Sequence, residues 1–471
     1  MGPGPNPGLS YLALTAVAVG SMVGAGIFTL PRSFGASTGP AGALVAWAIT
    51  GFGMYALARV LQWLSTVRPD LDAGIYAYGK EGFGNYAGFL AVLGYWLVAC
   101  IGDVAYWCLL TATLGHFFPA FGEGNTFPSM ILATAGIWGF HFLILAGVKG
   151  AASVNAVATV AKVIPILLFI ILLALSFEPA TFDDNFWVGG EQPEEGIFQQ
   201  IRATMLITVF VFVGVEGANV YSRYAKRRAD VGRATITAFL LVLALMLLVT
   251  LLPYGHFPRA EIAALTQPSM ASLLKAVVGP WGAILISLGL IISILGAYLA
   301  WTLLAIEVLF VAAKNGDMPR MLARENARGV PSASLWFTTL TVQALLFIAW
   351  YADDAIQLLV ELSASMALTP YFLVAAFACK LVIRGEGGND LRCRLLACIA
   401  LLYTIGMVYA GGLPILLLSL VFYAPGTILY VVIRREQRGR VFSMSESMLC
   451  ALVVLGGMAG VLGLCRGTIS L

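Results

Sequence analysis

Stretches of about 20 apolar residues recur along this chain, and they constrain its fold more than any other feature. A helix needs about 20 apolar residues to cross the hydrocarbon core of a bilayer. Only 11% of the 471 residues are charged, whereas soluble domains carry about 25%. Backbone groups in hydrocarbon must be hydrogen-bonded within the protein, so repeated apolar spans form helices. The sequence therefore predicts an all-α polytopic membrane protein.

Thirteen segments are long enough to cross a bilayer. The two that meet near Gly411 and Gly412 are the hardest to separate, so we expect 12 or 13 transmembrane helices. The first follows an N-terminus without a basic region or cleavage site, so we expect it to be retained in the mature protein. The segments are 10–33, 41–65, 86–115, 127–147, 152–176, 200–221, 233–254, 280–312, 332–351, 356–382, 393–409, 412–433 and 446–465.

The distribution of lysine and arginine orients these segments. With a cytoplasmic N-terminus, 20 of the 27 basic residues fall in cytoplasmic connections and five fall outside. The external loop at 177–199 is acidic instead. We therefore predict a cytoplasmic N-terminus and, because no linker divides the chain, one membrane domain over residues 1–471. Since five is an odd number, residues 10–176 and 200–382 would form two repeats of inverted topology, with peripheral helices at 393–465.

Two glycine-rich runs interrupt the first and sixth segments. Residues 20–28 read GSMVGAGIF and residues 212–219 read FVGVEGAN. Each glycine costs about 0.5–1 kcal/mol relative to alanine in a regular helix, so the runs predict breaks that free backbone N–H and C=O groups. Such groups are tolerated at membrane depth only where they line a protein cavity. Paired breaks in two halves of a chain indicate a transporter binding site.

The freed groups predict the chemistry of the ligand. A half-helix beginning near Gly24 offers N–H groups and a positive dipole end to a carboxylate. Carbonyls around Ser21, and between Phe210 and Val213, would accept hydrogen bonds from an ammonium group. A carboxylate and an ammonium a few ångströms apart describe an amino acid. The alternative is that Gly20 and Gly24 form a GxxxG surface for helix packing.

Five ionisable side chains lie inside apolar segments. Each costs several kcal/mol at the bilayer centre unless it is paired or hydrated, so each is a functional candidate. Four are acidic, which favours a substrate with an additional positive charge, such as arginine, ornithine, lysine or a derived amine. For Glu307 and Glu361 the alternative is contact with water near a helix end. The five residues are Asp103, Lys162, Glu216, Glu307 and Glu361.

An aromatic side chain at mid-span can cover a bound cation, since its ring face attracts ammonium and guanidinium groups. Trp301 is a candidate for this role, although most tryptophans in spans serve packing or interfacial anchoring. The same two interpretations apply to Tyr95 and Phe210.

Other functions find no support in the sequence. The seven cysteines show neither a metal-site spacing nor a disulfide framework, and the three histidines fall in unrelated places. No nucleophile–base pairing is visible, so a membrane-embedded enzyme or sensor is disfavoured. A net charge of +3 without a basic tail gives no reason to expect a nucleic-acid partner. No cofactor and no metal are expected.

Residues 20–31, GSMVGAGIFTLP, resemble the first-helix signature of the amino acid–polyamine–organocation transporters. More narrowly, the chain is similar to the basic amino acid/polyamine antiporters of that superfamily. The stretches that support this resemblance are 68–84, 94–96, 122–125, 214–217, 300–304 and 369–371.

The resemblance implies a LeuT-type fold of two inverted five-helix repeats, with helices 1 and 6 unwound around the substrate. Three departures from the arginine/agmatine exchangers of the family bear on the substrate: Ser21 replaces an asparagine, Ala25 a serine and Phe210 a tryptophan. Asp103 replaces an asparagine and could pair with a cationic side chain. The substrate-binding residues implied by the resemblance are Ser21, Met22, Ala25, Gly26, Tyr95, Asp103, Phe210, Glu216, Trp301 and Ser363.

The resemblance further implies exchange of cationic amino acids, arginine for ornithine, across a bacterial inner membrane. Two alternatives stay open: proton-coupled uptake with Lys162 or Glu216 as the proton carrier, and exchange of an amino acid for its decarboxylated amine. In sodium-independent members a helix-5 lysine fills the sodium site; Lys162 matches it, which implies sodium independence. The expected partners are cationic amino acids and the lipid bilayer, and the assembly considered is a homodimer.

Overall fold

The structure, a computed structural model, is a bundle of α-helices, and the ranges that it describes contain no strand. This confirms the predicted all-α architecture. The described ranges are residues 10–71, 75–147, 151–187, 196–215, 226–352, 354–386 and 391–469.

The α-helices are numbered here in chain order, and a 3-10 helix at Ala25–Thr29 separates the first two. They are α1 (Tyr11–Met22), α2 (Leu30–Ser37), α3 (Pro40–Val67), α4 (Ile75–Phe83), α5 (Asn85–Gly115), α6 (Phe127–Leu145), α7 (Ala151–Leu175), α8 (Pro179–Asn185), α9 (Ile197–Phe210), α10 (Arg228–Leu251), α11 (Arg259–Ala263), α12 (Ser269–Val278), α13 (Pro280–Lys314), α14 (Ser332–Ala349), α15 (Ala355–Ile383), α16 (Leu391–Glu436) and α17 (Met444–Cys465).

Most predicted segments coincide with one helix. Within the described ranges nine helices are long and apolar enough to cross a membrane, or up to eleven if each of two bent pairs is one span. One of the nine, α16, is divided by Gly412, whose φ of 74° and ψ of 172° are not helical. The short α9 ends at Phe210, five residues before the end of the described range 196–215. The total of 12 or 13 crossings therefore stays a prediction.

Helix α5 lies at the centre of the bundle. In its most apolar stretch 94% of the residues are buried, against 22% for α17. Helices α13, α14 and α15 all pack against α5, so apolar side chains face it from several sides. By contrast, α16 and α17 pack on one another and expose leucines such as Leu402 and Leu455. This difference separates a buried core from a more exposed periphery.

A side chain from α9 donates a hydrogen bond to the backbone at the kink in α16. Because Gly412 interrupts the helical ladder, nearby carbonyls need other donors. Arg202 on α9 supplies one, since its Nε donates to the Ala410 carbonyl at 3.2 Å. Its guanidinium also lies over the ring of Tyr409, 5.6 Å from the centroid. The kink thus ties the peripheral helices to the core.

Ion pairs mark the two ends of the bundle. Asp354 caps the start of α15 and lies 3.5 Å from Arg32. Near the other end of α15, about 40 Å away along a 29-residue helix, Lys80 lies 2.5 Å from Asp317. Lys380 donates there to the Gly82 carbonyl. The charged side chains therefore tie loops together at the two ends of the helices.

The packing of α6 against α5 generates a stability prediction. A Cβ at Gly136 would lie 1.8 Å from the Trp107 ring, whereas one at Gly139, also on α6, would meet nothing within 4 Å. We expect Gly136→Ala to lower the free energy of unfolding by about 1–3 kcal/mol, the typical cost of overpacking. Gly139→Ala is the matched control, and the better helix propensity of alanine should leave it neutral or slightly stabilised. Melting temperatures of the two purified variants in detergent give the comparison, and equal values would contradict the packing described here.

Candidate functional site

Helix α1 breaks where the glycine-rich run predicts. It ends at Met22, the φ and ψ of Val23 are −75° and 83°, and Gly24 is extended before the 3-10 helix begins. The span bends by 49° between Tyr11–Met22 and Ala25–Ser37. The first N–H groups of a new helix have no partner within it, so the break leaves polar backbone groups inside the bundle.

The sixth predicted segment also loses its regular helix. Helix α9 ends at Phe210, and tight turns follow, in which Val213 N donates to Phe210 O and Val215 N to Phe212 O. Gly214 has a φ of 103°, a conformation that other residues rarely adopt. Glu216, predicted to bind the substrate, lies outside the described residues. The break at helix α9 is therefore observed up to residue 215.

The two breaks contact one another. The Ser21 hydroxyl lies 2.9 Å from the Gly214 carbonyl and 2.9 Å from the Ala18 carbonyl, both of which accept hydrogen bonds from it. A Cβ at Gly214 would lie 2.8 Å from the Ser21 carbonyl oxygen. Gly26 approaches Phe210 in the same way, since a Cβ there would lie 2.8 Å from its ring. Glycine is therefore required on both sides of the junction.

Lys162 stabilises the break from a third element, α7. Its side chain is 2% exposed, and its Nζ donates to the Gly20 carbonyl at 2.6 Å. A buried carbonyl left without a donor costs about 1–3 kcal/mol, so this hydrogen bond stabilises the break. Among the described side chains no carboxylate lies within ion-pair distance of Lys162. Its partner in this structure is the freed backbone.

A pocket lies beside the junction and encloses about 400 Å³ of empty space, including its mouth. Its walls come from the broken α1, the end of α9, and helices α5, α13 and α15. The lining residues are Ser21, Met22, Gly24, Gly26, Ile27, Val98, Gly102, Tyr106, Phe210, Val211, Val213, Trp301 and Ser363.

Three of the predicted site residues within the described ranges do not line this pocket. Ala25 is buried in the 3-10 helix, and Tyr95 and Asp103 are buried on α5. Conversely, five lining residues were not predicted: Ile27, Val98, Gly102, Tyr106 and Val211. The eight other described residues of the prediction do line it: Ser21, Met22, Gly24, Gly26, Phe210, Val213, Trp301 and Ser363.

Helical spacing explains what was missed on α5. Val98, Gly102 and Tyr106 are four residues apart, so they share one face of the helix. Asp103 is turned about 100° from Gly102, which directs it toward α13. There the Thr302 hydroxyl donates to Asp103 Oδ2 at 2.8 Å. The predicted residues Tyr95 and Asp103 are eight residues apart and share a different face, so the same spacing applied to them does not lead to the lining residues.

The remaining ionisable residues of the spans occupy different environments. Glu307 is exposed, in agreement with the alternative that it contacts water. Glu361 is partly buried, and its Oε1 accepts a hydrogen bond from Gln357 Nε2 at 2.5 Å. Ser363, two residues further along α15, donates to the Val98 carbonyl at 3.2 Å. Of the four that the structure describes, Asp103 and Lys162 are fully buried.

The pocket combines two kinds of surface. Residues of the broken α1 and of the turns after Phe210 line one part of it. The aromatic rings of Phe210, Trp301 and Tyr106 line another, and such rings attract cations by their faces. The arrangement can hold a small ligand with a polar head and a cationic or flat tail.

A polytopic helix bundle with a pocket between two broken helices is the architecture of many membrane transporters. Residues 9–434 match the family model described as amino acid permease. The chain therefore belongs to the amino acid permease family, which makes it an integral membrane transporter and confirms the resemblance to the amino acid–polyamine–organocation transporters.

Several relatives match almost the whole chain. It is 45% identical to the arginine/ornithine antiporter of Pseudomonas aeruginosa, with 98% of each chain covered. It is 37% identical to the L-lysine transport protein of Corynebacterium glutamicum, over 98% of this chain and 96% of the relative. It is 35% identical to the arginine/agmatine antiporter of Chlamydia abortus, over 96% of this chain and 95% of the relative.

The glycine contacts at the junction generate a binding prediction. Gly214 and Gly279 both have positive φ, so alanine at either position adds about 1–3 kcal/mol of backbone strain. Only at Gly214 does the new Cβ also approach Ser21, since nothing lies within 4 Å of a Cβ at Gly279. We expect Gly214→Ala to weaken binding of radiolabelled arginine by roughly tenfold or more, while Gly279→Ala binds as the wild type does. Similar affinities for the two variants would show that the junction does not shape the pocket.

Proposed function

We propose that this protein exchanges cationic amino acids across a bacterial inner membrane, arginine for ornithine, with its N-terminus in the cytoplasm. The observation that carries the proposal is the 45% identity to an arginine/ornithine antiporter over 98% of both chains. The pocket supports the same proposal, because its polar and aromatic surfaces suit the two ends of such a substrate.

The proposed binding mode divides the substrate between these surfaces. The N–H groups that follow Gly24 bind the carboxylate, because they carry the positive end of a helix dipole. Carbonyl groups near Ser21 and Val213 accept hydrogen bonds from the α-ammonium group. Phe210 and Trp301 contact the cationic end of the side chain by their ring faces. Glu216, beyond the described residues, stays part of the proposed site.

Transport would follow by alternating access around this fixed pocket. The proposed moving units are the two inverted repeats, residues 10–176 and 200–382, with residues 393–465 at the periphery. Both amino acids carry one net positive charge near neutral pH, so their exchange would be electroneutral and driven by the two concentration gradients.

We also propose that transport is independent of sodium. Lys162 occupies the interior beside the α1 break and already donates to the Gly20 carbonyl. A backbone carbonyl engaged in this way is not free to coordinate a cation, and the ammonium group repels one by like charge.

Two other substrate pairings follow from the relatives. The chlamydial relative is named for arginine and agmatine, and the corynebacterial one for lysine. Exchange for a decarboxylated amine, or uptake of a single basic amino acid with a proton, are therefore the alternatives. Phe210 bears on this choice, because a phenyl ring attracts a guanidinium group less strongly than an indole does.

Counterflow in proteoliposomes tests the proposed exchange. We expect uptake of labelled arginine to be fast when the vesicles contain ornithine, close to background when they are empty, and unchanged when external sodium is replaced by choline. A panel of unlabelled arginine, ornithine, lysine, agmatine and putrescine then ranks the competing substrates. Equal uptake into empty and loaded vesicles, together with acceleration by an inward proton gradient, would replace exchange by proton-coupled uptake.

The contact of Lys162 with α1 generates a second prediction. Lys162→Met removes the donor to the Gly20 carbonyl and leaves that carbonyl buried without a partner, a cost of about 1–3 kcal/mol, so we expect arginine–ornithine exchange to fall about tenfold or more. Lys275 on α12 is exposed and has no ion-pair partner in the described ranges, so Lys275→Met is the matched control and should exchange normally. Melting temperatures separate lost function from unfolding, and wild-type exchange by a folded Lys162→Met protein would exclude the proposed role.

A further inference from the structure

Asp103 is a buried carboxyl group whose hydrogen bonding is incomplete. Its side chain is 0% exposed. Oδ2 accepts the hydrogen bond from Thr302, while Oδ1 has no hydrogen-bond partner among the described residues. An ionised carboxylate can only accept hydrogen bonds, whereas the protonated form also donates one. The structure thus holds a carboxyl group with one unused oxygen at the centre of the bundle.

The surroundings of Asp103 provide no positive charge. The titratable side chains that interact with it electrostatically are Cys100 and Tyr106 on α5 and Tyr298 on α13, all of which are neutral in their ordinary state near pH 7. In the described ranges no lysine, arginine or histidine forms an ion pair with it. An isolated charge in such a place is so costly that the group neutralises instead.

Charged side chains on the neighbouring helices are engaged elsewhere. On α4, Lys80 pairs with Asp317 and Glu81 with Arg68, near the start of α5 and about 25 Å along that helix from Asp103. On α7, Lys162 donates to the Gly20 carbonyl.

Neutral polar side chains occupy the other neighbours. On α6, His141 Nδ1 lies 2.9 Å from the Thr339 hydroxyl of α14. On α15, Ser363 donates to the Val98 carbonyl and does not titrate. The cation that could balance Asp103 therefore has to come from outside the described protein.

Asp103 lies directly behind the wall of the substrate pocket. Its chain neighbour Gly102 lines the pocket, as does Tyr106 one turn further along α5. Its hydrogen-bond donor Thr302 follows Trp301, which lines the pocket from α13. A cation held against Trp301 is therefore close to this carboxyl group, and a nearby positive charge favours the ionised form.

We propose that Asp103 is a proton-binding site, which holds a proton while the pocket is empty and releases it when a cationic substrate binds. The inference rests on the proposed function, because it takes the ligand to be a cationic amino acid. The Thr302 hydroxyl remains the donor to Oδ2 in both states, and the proton leaves from the oxygen that now lacks a partner.

Proton binding at Asp103 affects the charge balance of exchange. When the protein exchanges two singly charged amino acids, Asp103 is ionised in both loaded states, and no proton crosses the membrane. A return step with a neutral amino acid would carry the proton on Asp103 instead. One positive charge then crosses in each direction, and the exchange stays electroneutral.

Proton release on binding is the direct test. Arginine is added to the purified full-length protein in a weakly buffered detergent solution containing a pH indicator, from about pH 5 to about pH 9. We expect about one proton to be released per arginine bound wherever the empty site holds its proton. Over that range the affinity should rise about tenfold per pH unit, because binding is linked to the loss of one proton. Asp103→Asn should release none and bind with an affinity independent of pH.

Glu361→Gln is the matched control, because it removes another carboxyl group of the bundle. The Oε1 atom of Glu361 already accepts a hydrogen bond from Gln357. This variant should release protons as the wild type does. If Asp103→Asn does not bind arginine, Asp103→Glu replaces it, and we expect about one proton released with a shifted pH dependence.

Different results would overturn the proton site at Asp103 and the proposed exchange of cationic amino acids. Arginine binding by the wild type without proton release at any pH would overturn the proton site and leave the exchange intact. Wild-type proton release by an Asp103→Asn protein that binds arginine would assign the proton to another group. A wild-type protein that neither binds nor exchanges arginine would overturn the proposed function itself.

Discussion

A helix that is broken inside a membrane protein must find hydrogen-bonding partners for its own backbone, and this requirement organises the structure. No water is available in hydrocarbon, so each freed group needs a donor or an acceptor from the protein. Lys162 supplies a donor to the Gly20 carbonyl from α7, and Ser21 links the break in α1 to the turn at Gly214. The break persists because helices distant in sequence satisfy it.

The pocket follows from the same arrangement. Glycines let the two broken backbones approach one another, and the groups not used in holding them together face the adjoining space. Helix α5 closes that space, since it is buried along almost its whole length and packs against α13 and α15. Aromatic rings from α9 and α13 complete the walls. Stability of the break and access to polar backbone groups are thus two results of one geometry.

The two fully buried ionisable side chains among the described candidates of the spans, Lys162 and Asp103, differ in their hydrogen bonding. Lys162 donates to a carbonyl and has a structural partner in place. Asp103 has a partner for one oxygen only. A buried polar atom that has a partner helps to rigidify its surroundings, whereas one without a partner has a free-energy reason to change its state when a ligand arrives. This contrast separates a positioning lysine from a carboxyl group suited to responding.

The sequence by itself determined the helical membrane architecture, the approximate limits of most spans, and the break in the first one. These follow from local properties: apolar length, charge placement and glycine content. Only the tertiary structure decided which residues of α5 face the pocket, and why Gly102 and Tyr106 line it while Asp103 lies behind the wall. The orientation of a helix about its own axis is set by packing against α13 and α15, and an apolar helix buried on nearly every side carries no amphipathic pattern to reveal it. The contact of Ser21 with Gly214, 193 residues apart, depends on the same packing.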